Sequence, residues 1–140
     1  MMLKYLFFTG YGFFITSLFL PVIDFNLITS NTWNGFTMLF LTPVFAITLL
    51  MDLGGENIYP VEALLLLLVS IGNIALVASP FLFFSKYNKY LSPILFFLFL
   101  CAILISLIFK GRFYSGHYFW LLSIIITGIA SFIKKRRNTS

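Results

Sequence analysis

Five long stretches of nearly uninterrupted apolar residues constrain this chain more than any other feature. They cover residues 3–22, 36–51, 61–84, 91–109 and 118–133. A helix needs about 20 mainly apolar residues to cross a bilayer, whereas the strands of a membrane barrel alternate polar and apolar residues. Because hydrocarbon offers no hydrogen-bond partner, each backbone segment must satisfy its own polar groups, which a helix does. The sequence therefore predicts an all-α, polytopic membrane bundle of five hydrophobic helices.

The composition supports lipid as the solvent for most side chains. The 140 residues are 61% hydrophobic and 9% charged, with a mean hydropathy of +1.04. A soluble domain has about a quarter of its residues charged. The five stretches leave no room for a separate soluble domain, so residues 1–140 are expected to form one transmembrane domain. The first stretch is longer than a signal-peptide core and lacks a cleavage pattern, so we expect it to be retained as a span.

The charge balance bears on orientation in the membrane. The net charge is +5, from nine basic and four acidic residues. The basic residues are confined to short loops and the C-terminal segment, a distribution typical of membrane orientation, so we expect no nucleic-acid partner. Cytoplasmic segments carry the excess of Lys and Arg. The cluster that ends the chain is therefore expected in the cytoplasm, and it consists of Lys134, Lys135, Arg136 and Arg137.

The sequence leaves the number of crossings open between four and five. Five simple crossings put six basic residues inside and leave three outside, namely Lys4, Lys110 and Arg112. If 36–51 is re-entrant because it is short and contains Pro43, Lys4 also lies inside, and the count becomes seven against two. We expect five crossings, because 61–84 reads as one helix about 36 Å long at 1.5 Å per residue.

Three of the four acidic residues lie in one window between the second and third stretches. These are Asp52, Glu56 and Glu62. The pair Gly54–Gly55 is typical of a helix end, and Pro60 is typical of a helix start. A calcium loop needs about six oxygen ligands at regular spacing, which three carboxylates do not supply. We therefore expect a solvated turn between two helices, with a cation or basic-partner site as the alternative.

Small and polar residues inside the stretches predict close helix packing. Asn73 is the only amide deep within an apolar stretch, where it would either bond to another helix or line a translocation path. Small residues repeat on one face of the third and fifth stretches: Gly72, Ala75 and Ser79, and Ser123, Thr127 and Ser131. Such faces let helices approach closely, so we expect packing within the bundle or self-association.

The stretches contain no motif for a reaction. No carboxylate, lysine or arginine lies near the middle of any stretch, although proton-coupled transporters usually place an ionisable residue there. The lone histidine, His117, is expected in an interfacial loop among aromatic residues, and Cys101 is expected to be a small apolar filler. We therefore expect a non-enzymatic protein with no catalytic residue, no serine–base pair, no cofactor and no metal.

The first two stretches and the last resemble parts of small uncharacterised multi-span bacterial inner-membrane proteins. The chain reads "SLFLPVIDF" and then "WNGF" at its first two stretches, and "GHYFWLLSIII" at its last. The shared pattern is S-L-F-L-P, W-x-G and G-x-x-x-W-L-x-S, which Gly116, Trp120, Leu121 and Ser123 match in the last segment. The resemblance touches about a third of the chain. It implies a multi-pass protein of the bacterial inner (plasma) membrane, and it implies no activity.

Two functions are consistent with these features. The first is a non-enzymatic protein that acts through helix–helix contacts with a membrane partner, as an accessory subunit or as an immunity-type protein that protects its host from a pore-forming toxin. The alternative is a small channel, holin-like pore or transporter formed by self-association, with Asn73 and the Ser/Thr faces lining the path. The expected partners are the lipid bilayer and either another membrane protein or further copies of the chain.

Overall fold

The computed structural model describes residues 2–24, 32–51, 60–108 and 113–139, with the backbone alone described at 23–24, 32–33, 45, 49–50, 60–63 and 138–139. Within these ranges the chain forms six helices and a two-stranded antiparallel sheet. The elements in chain order are α1 (Met2–Phe19), β1 (Pro21–Asp24), β2 (Thr32–Asn34), α2 (Gly35–Met51), α3 (Pro60–Val77), α4 (Ser79–Phe84), α5 (Asn88–Ile108) and α6 (Ser115–Thr139).

Among the described residues, three helices are long and apolar enough to cross a membrane. They span Met2–Phe19, Asn88–Ile108 and Ser115–Arg137. The second and third predicted stretches correspond to shorter apolar helical segments, Gly35–Thr48 and Leu64–Val77. The predicted helical bundle is therefore confirmed, and the bundle contains three helices suited to spanning.

The outer surface of the bundle is apolar. Ile74, Phe96 and Leu107 each expose more than 60% of their area. Soluble proteins rarely expose contiguous apolar surface on this scale. The side chains that make up this surface therefore suit contact with lipid tails.

The prediction of one continuous helix over 61–84 is wrong, because the helix is interrupted at Ala78. Helical hydrogen bonds persist on both sides, from Ala78 N to Ile74 O at 2.9 Å and from Leu82 N to Ala78 O at 3.1 Å. Pro80 has no N–H for the carbonyl of Leu76, and its ring crowds that carbonyl. This proline separates α3 from α4.

Two predicted helix starts also differ from the structure. Helix α5 begins at Asn88, before the predicted stretch 91–109, and Pro93 lies inside it. Helix α6 begins at Ser115 and continues through the terminal basic cluster. Basic residues in a last turn interact favourably with the negative end of the helix dipole, which is compatible with a helical cluster.

The connector after α1 forms a hairpin that the sequence analysis did not predict. Strands β1 and β2 pair antiparallel, with Pro21 opposite Asn34. Asn34 also caps α2, because its Oδ1 accepts the backbone N–H of Thr37 at 2.9 Å and the Thr37 hydroxyl at 2.8 Å. The hairpin is joined to the segment before α6 by the bond from Tyr114 N to Val22 O at 2.9 Å. These bonds fix the entry into α2 against the end of α1.

Helices α1 and α6 run antiparallel. At one end the ammonium groups of Lys4 and Lys134 lie 6.0 Å and 5.5 Å from the ring of Phe84. At the other end Gly116 packs against the carbonyl of Leu20, which lies 2.8 Å from the position a Cβ on Gly116 would occupy. The start of α1 and the end of α6 therefore share one end of the bundle.

Helix α5 is also antiparallel to α6. Asn88 at the start of α5 bonds to Ser131, and Ser106 near its end lies 2.8 Å from His117. We call the end of the bundle that carries Lys4, Lys86, Lys89 and Lys134 the lysine end. The opposite end, which carries the β1–β2 sheet, is called the hairpin end.

Candidate functional site

A small pocket lies at the hairpin end between α1, α2, α3, α5 and α6. Its volume is about 80 Å³. Phe14, Leu39, Val69 and Ile105 contribute to its mostly apolar wall. The polar side chains on the wall are those of Ser17, Thr42, Asn73, His117 and Trp120. We call it the hairpin-end pocket.

Asn73 joins α3 to α6 at the edge of this pocket. Its Oδ1 accepts the indole N–H of Trp120 at 2.9 Å, and only 8% of the residue is exposed. A polar pair between membrane helices contributes about 0.6 kcal/mol on average. The structure thus places Asn73 in a helix–helix bond, one of its two predicted roles, and also on the wall of the hairpin-end pocket.

His117 lies in the first turn of α6 rather than in an interfacial loop, and it is 3% exposed. The expected loop position is therefore wrong. Its Nε2 lies 2.8 Å from the Ser106 hydroxyl, which also bonds to Ala102 O at 2.8 Å. A hydroxyl has one proton, so with both bonds formed Ser106 donates to Ala102 and accepts from His117. The imidazole stacks on Phe113 with a centroid distance of 4.0 Å.

The contact between Ser106 and His117 corrects the expectation that the chain contains no serine–base pair. A nucleophilic serine needs its proton directed at the base, whereas here that proton is directed at Ala102 O. The adjoining pocket is also well below the 300–1,000 Å³ that ligand pockets occupy. The arrangement suits a bond between α5 and α6 better than acyl transfer.

Sequence reasoning missed this pair because the two residues lie on different helices. A signal was available, since Ser106 and His117 flank the short loop between two consecutive apolar stretches. Helices joined by a short loop usually pack antiparallel, which brings such residues to the same depth. Within the described ranges, no group of three His, Cys, Asp or Glu residues could hold a metal ion.

The small residues of the fifth stretch face other helices of the same chain. Ser123, Thr127 and Ser131 are fully buried. A Cβ on Gly10 of α1 would lie 2.6 Å from the Thr127 Oγ1, and Ser131 Oγ bonds to Asn88 Oδ1 of α5 at 3.0 Å. This face therefore packs α6 between α1 and α5.

The small residues of the third stretch are divided between α3 and α4. Gly72 is buried, and a Cβ there would overlap the side chain of Leu98 on α5. Ala75 is half-buried, and Ser79 is fully buried at the start of α4. In the part of the chain that the structure describes, the hydroxyls of Ser79 and Thr127 are buried without a hydrogen-bond partner.

Of the charged residues singled out from the sequence, the structure describes the side chains of the terminal basic cluster. Asp52 and Glu56 lie outside the described residues, and Glu62 belongs to α3 but its side chain is not described. Lys134 donates to the carbonyl of Phe83 and lies 4.4 Å from that ring. Its neighbours in the terminal cluster, Lys135, Arg136 and Arg137, lie on the same final turns of α6 at the lysine end.

No protein-family model matches this sequence, and no curated protein or solved structure matches it significantly.

Proposed function

We propose that this chain is a non-enzymatic integral membrane protein that acts through contacts with a partner in the bilayer, as an accessory subunit or an immunity-type protein. The observation that carries the proposal is how the polar groups inside the bundle are used. Asn73 pairs with Trp120, His117 with Ser106, and Asn88 with Ser131, each pair joining two helices. These bonds stabilise a scaffold, and its exposed apolar surface is then the part available to a partner.

We further propose that the chain crosses the membrane four times, with its C-terminus in the cytoplasm. Lys4 and Lys134 share the lysine end, which supports an even number of crossings and argues against the expected five. Helix α2 starts at the hairpin end, and the following pair α3–α4 reaches the lysine end. The four crossings are then α1, α3–α4, α5 and α6, with α2 held at the hairpin end.

The distribution of basic residues supports the same orientation. Seven of the nine basic residues lie in segments of the lysine end, and the other two, Lys110 and Arg112, lie in the loop between α5 and α6. Cytoplasmic segments carry this excess. The sequence resemblance supports the bacterial inner membrane as the location.

The alternative function, a channel or holin-like pore, requires Asn73 and the Ser/Thr faces to line a path between copies. In the fold these side chains contact helices of their own chain, which favours the first proposal. Liposome flux distinguishes the two. A flux of ions through vesicles containing the purified protein, abolished by Asn73→Leu, would support the alternative.

Co-purification tests the proposed function. The tagged chain, expressed at native level and extracted in mild detergent, is expected to retain a membrane protein in fixed stoichiometry. An unrelated tagged protein of similar size and number of spans serves as the control for adventitious binding. Recovery as a lone monodisperse species with independent turnover would overturn the proposal.

A further inference from the structure

A groove with a volume of about 510 Å³ runs along the membrane-facing side of the α5–α6 pair. Its floor is formed by Leu95 and Ile124, which are almost fully buried, and by Gly128. Phe96 and Phe132 lie at its rim with more than half of each side chain exposed. The volume falls within the range of small-molecule pockets, and it is much larger than that of the hairpin-end pocket. We call it the α5–α6 groove.

Gly128 lies on the floor of the groove between these helices. A Cβ at this position would lie 3.7 Å from the Leu95 Cβ, which is ordinary contact. A larger side chain at this position would therefore extend into the groove without forcing the two backbones apart.

The length of the groove matches one leaflet. On α6 its wall extends from Ile124 to Lys135, about 16 Å at 1.5 Å per residue. The hydrocarbon core of a bilayer is about 30 Å thick, so the groove covers about half of it. A partner helix crossing the membrane would need an apolar strip of about twice this length. An acyl chain of a single leaflet fits the observed length.

The polar end of the groove is cationic. Lys135 lines the groove at the lysine end, and its side chain is exposed. Long basic side chains near helix ends extend toward the headgroup region. Basic pockets between membrane helices at this depth bind anionic lipid headgroups. The apolar floor thus lies where the acyl chain of a phospholipid would lie, and the basic side chain lies where its phosphate would lie.

We propose that one anionic phospholipid occupies the α5–α6 groove, with an acyl chain against Leu95 and Gly128 and its phosphate beside the ammonium of Lys135. This inference depends on the chain lying in a bilayer and is independent of the partner proposed above. It assigns the groove to a lipid of the leaflet at the lysine end.

Native mass spectrometry of the full chain tests the proposal. The probes are phosphatidylglycerol and phosphatidylcholine with identical acyl chains. We expect one phosphatidylglycerol per chain to be retained in preference to phosphatidylcholine. Gly128→Leu places a large apolar side chain on the floor of the groove beside Leu95, where the acyl chain is proposed to lie, and should abolish retention. The matched control is Gly12→Leu, because a Cβ on Gly12 meets nothing within 4 Å, and it should bind like the native chain.

The charge is tested separately. Lys135→Gln is expected to lower phosphatidylglycerol binding about fivefold and to leave phosphatidylcholine binding unchanged. Lys86→Gln, at an exposed position of the lysine end, is the control and should change the ratio of bound phosphatidylglycerol to bound phosphatidylcholine little. An unchanged ratio in Lys135→Gln, or native-like retention in Gly128→Leu, would overturn the proposal. Loss of a dimer in Gly128→Leu with lipid retained would assign the groove to a second copy and would overturn it as well.

A photoactivatable phosphatidylglycerol gives a readout on the native chain, which does not depend on any variant folding. Its acyl chain should cross-link to groove residues such as Phe96, Ile125 and Phe132. Cross-links spread evenly over α1 and the other lipid-facing helices would show a general annular lipid and would contradict the proposal.

Discussion

At the residue scale, a few polar side chains determine which helices are neighbours. Asn73 forms a hydrogen bond with Trp120 on α6, and His117 forms one with Ser106 on α5. Each of these polar groups is shielded from water. Leaving one of them without its partner would therefore cost more free energy than the hydrogen bond itself contributes. The sequence left Asn73 open between a bond to another helix and a translocation path, and it could not identify Trp120 as the partner.

A double-mutant cycle measures the Asn73–Trp120 bond. Asn73→Leu and Trp120→Phe each remove one partner, and the double variant removes both. We expect a coupling of about 0.6–1.7 kcal/mol in the free energy of unfolding in detergent, the range found for bonds between membrane helices. Ile74→Leu, at an exposed neighbouring position, should change this free energy by less than about 0.5 kcal/mol. Strict additivity of the two single substitutions would mean that the bond contributes nothing.

At the element scale, glycine and proline set the packing and the breaks of the helices. Gly10 lets α1 approach Thr127 of α6, and Pro80 divides the predicted third helix into α3 and α4. A proline inside a helix removes a backbone hydrogen bond whatever its tertiary surroundings. The interruption of the predicted third helix could therefore have been predicted from the sequence. The role of Gly10 depends on which helix lies opposite, and its own sequence neighbourhood contains no information about that.

The glycines of α1 provide a matched pair. Gly10→Ala places a Cβ 2.6 Å from the Thr127 Oγ1 and 2.9 Å from its backbone nitrogen, so α1 and α6 must move apart. We expect a loss of about 1–3 kcal/mol in unfolding free energy, measured by denaturation in detergent. Gly12→Ala meets nothing within 4 Å and should be neutral or stabilising by up to about 1 kcal/mol. Equal effects at both positions would contradict the close approach of α1 and α6.

At the scale of the whole molecule, the charges and the apolar surface support the proposed orientation in a membrane. Lys4, Lys86, Lys89 and Lys134 lie at one end of the bundle, and β1 lies at the other. The expected five crossings rested on a long helix over 61–84. That helix is interrupted at Ala78, and the antiparallel contact of α1 with α6 supports the proposed four crossings.

Cysteine labelling tests this topology in a Cys101→Ala background. Met2→Cys, Lys86→Cys and Tyr114→Cys lie at exposed positions. With four crossings, an impermeant maleimide should label Met2→Cys and Lys86→Cys only from the cytoplasmic side and Tyr114→Cys only from the opposite side. Five crossings predict that Met2→Cys and Lys86→Cys are labelled from different sides, so that result would contradict our arrangement.

The sequence by itself determined that the long apolar stretches are helical and suited to lipid. Long stretches without charge can bury their backbone polar groups in lipid only as helices, and this argument needs no knowledge of neighbours. The tertiary structure decided the antiparallel contact of α1 with α6, the burial of His117 and the groove floored by Gly128. These features depend on pairs of residues that lie far apart in the chain. Alternative packings of equally apolar helices differ in free energy by a few kcal/mol or less. Hydrophobicity alone therefore cannot predict which packing is the most stable.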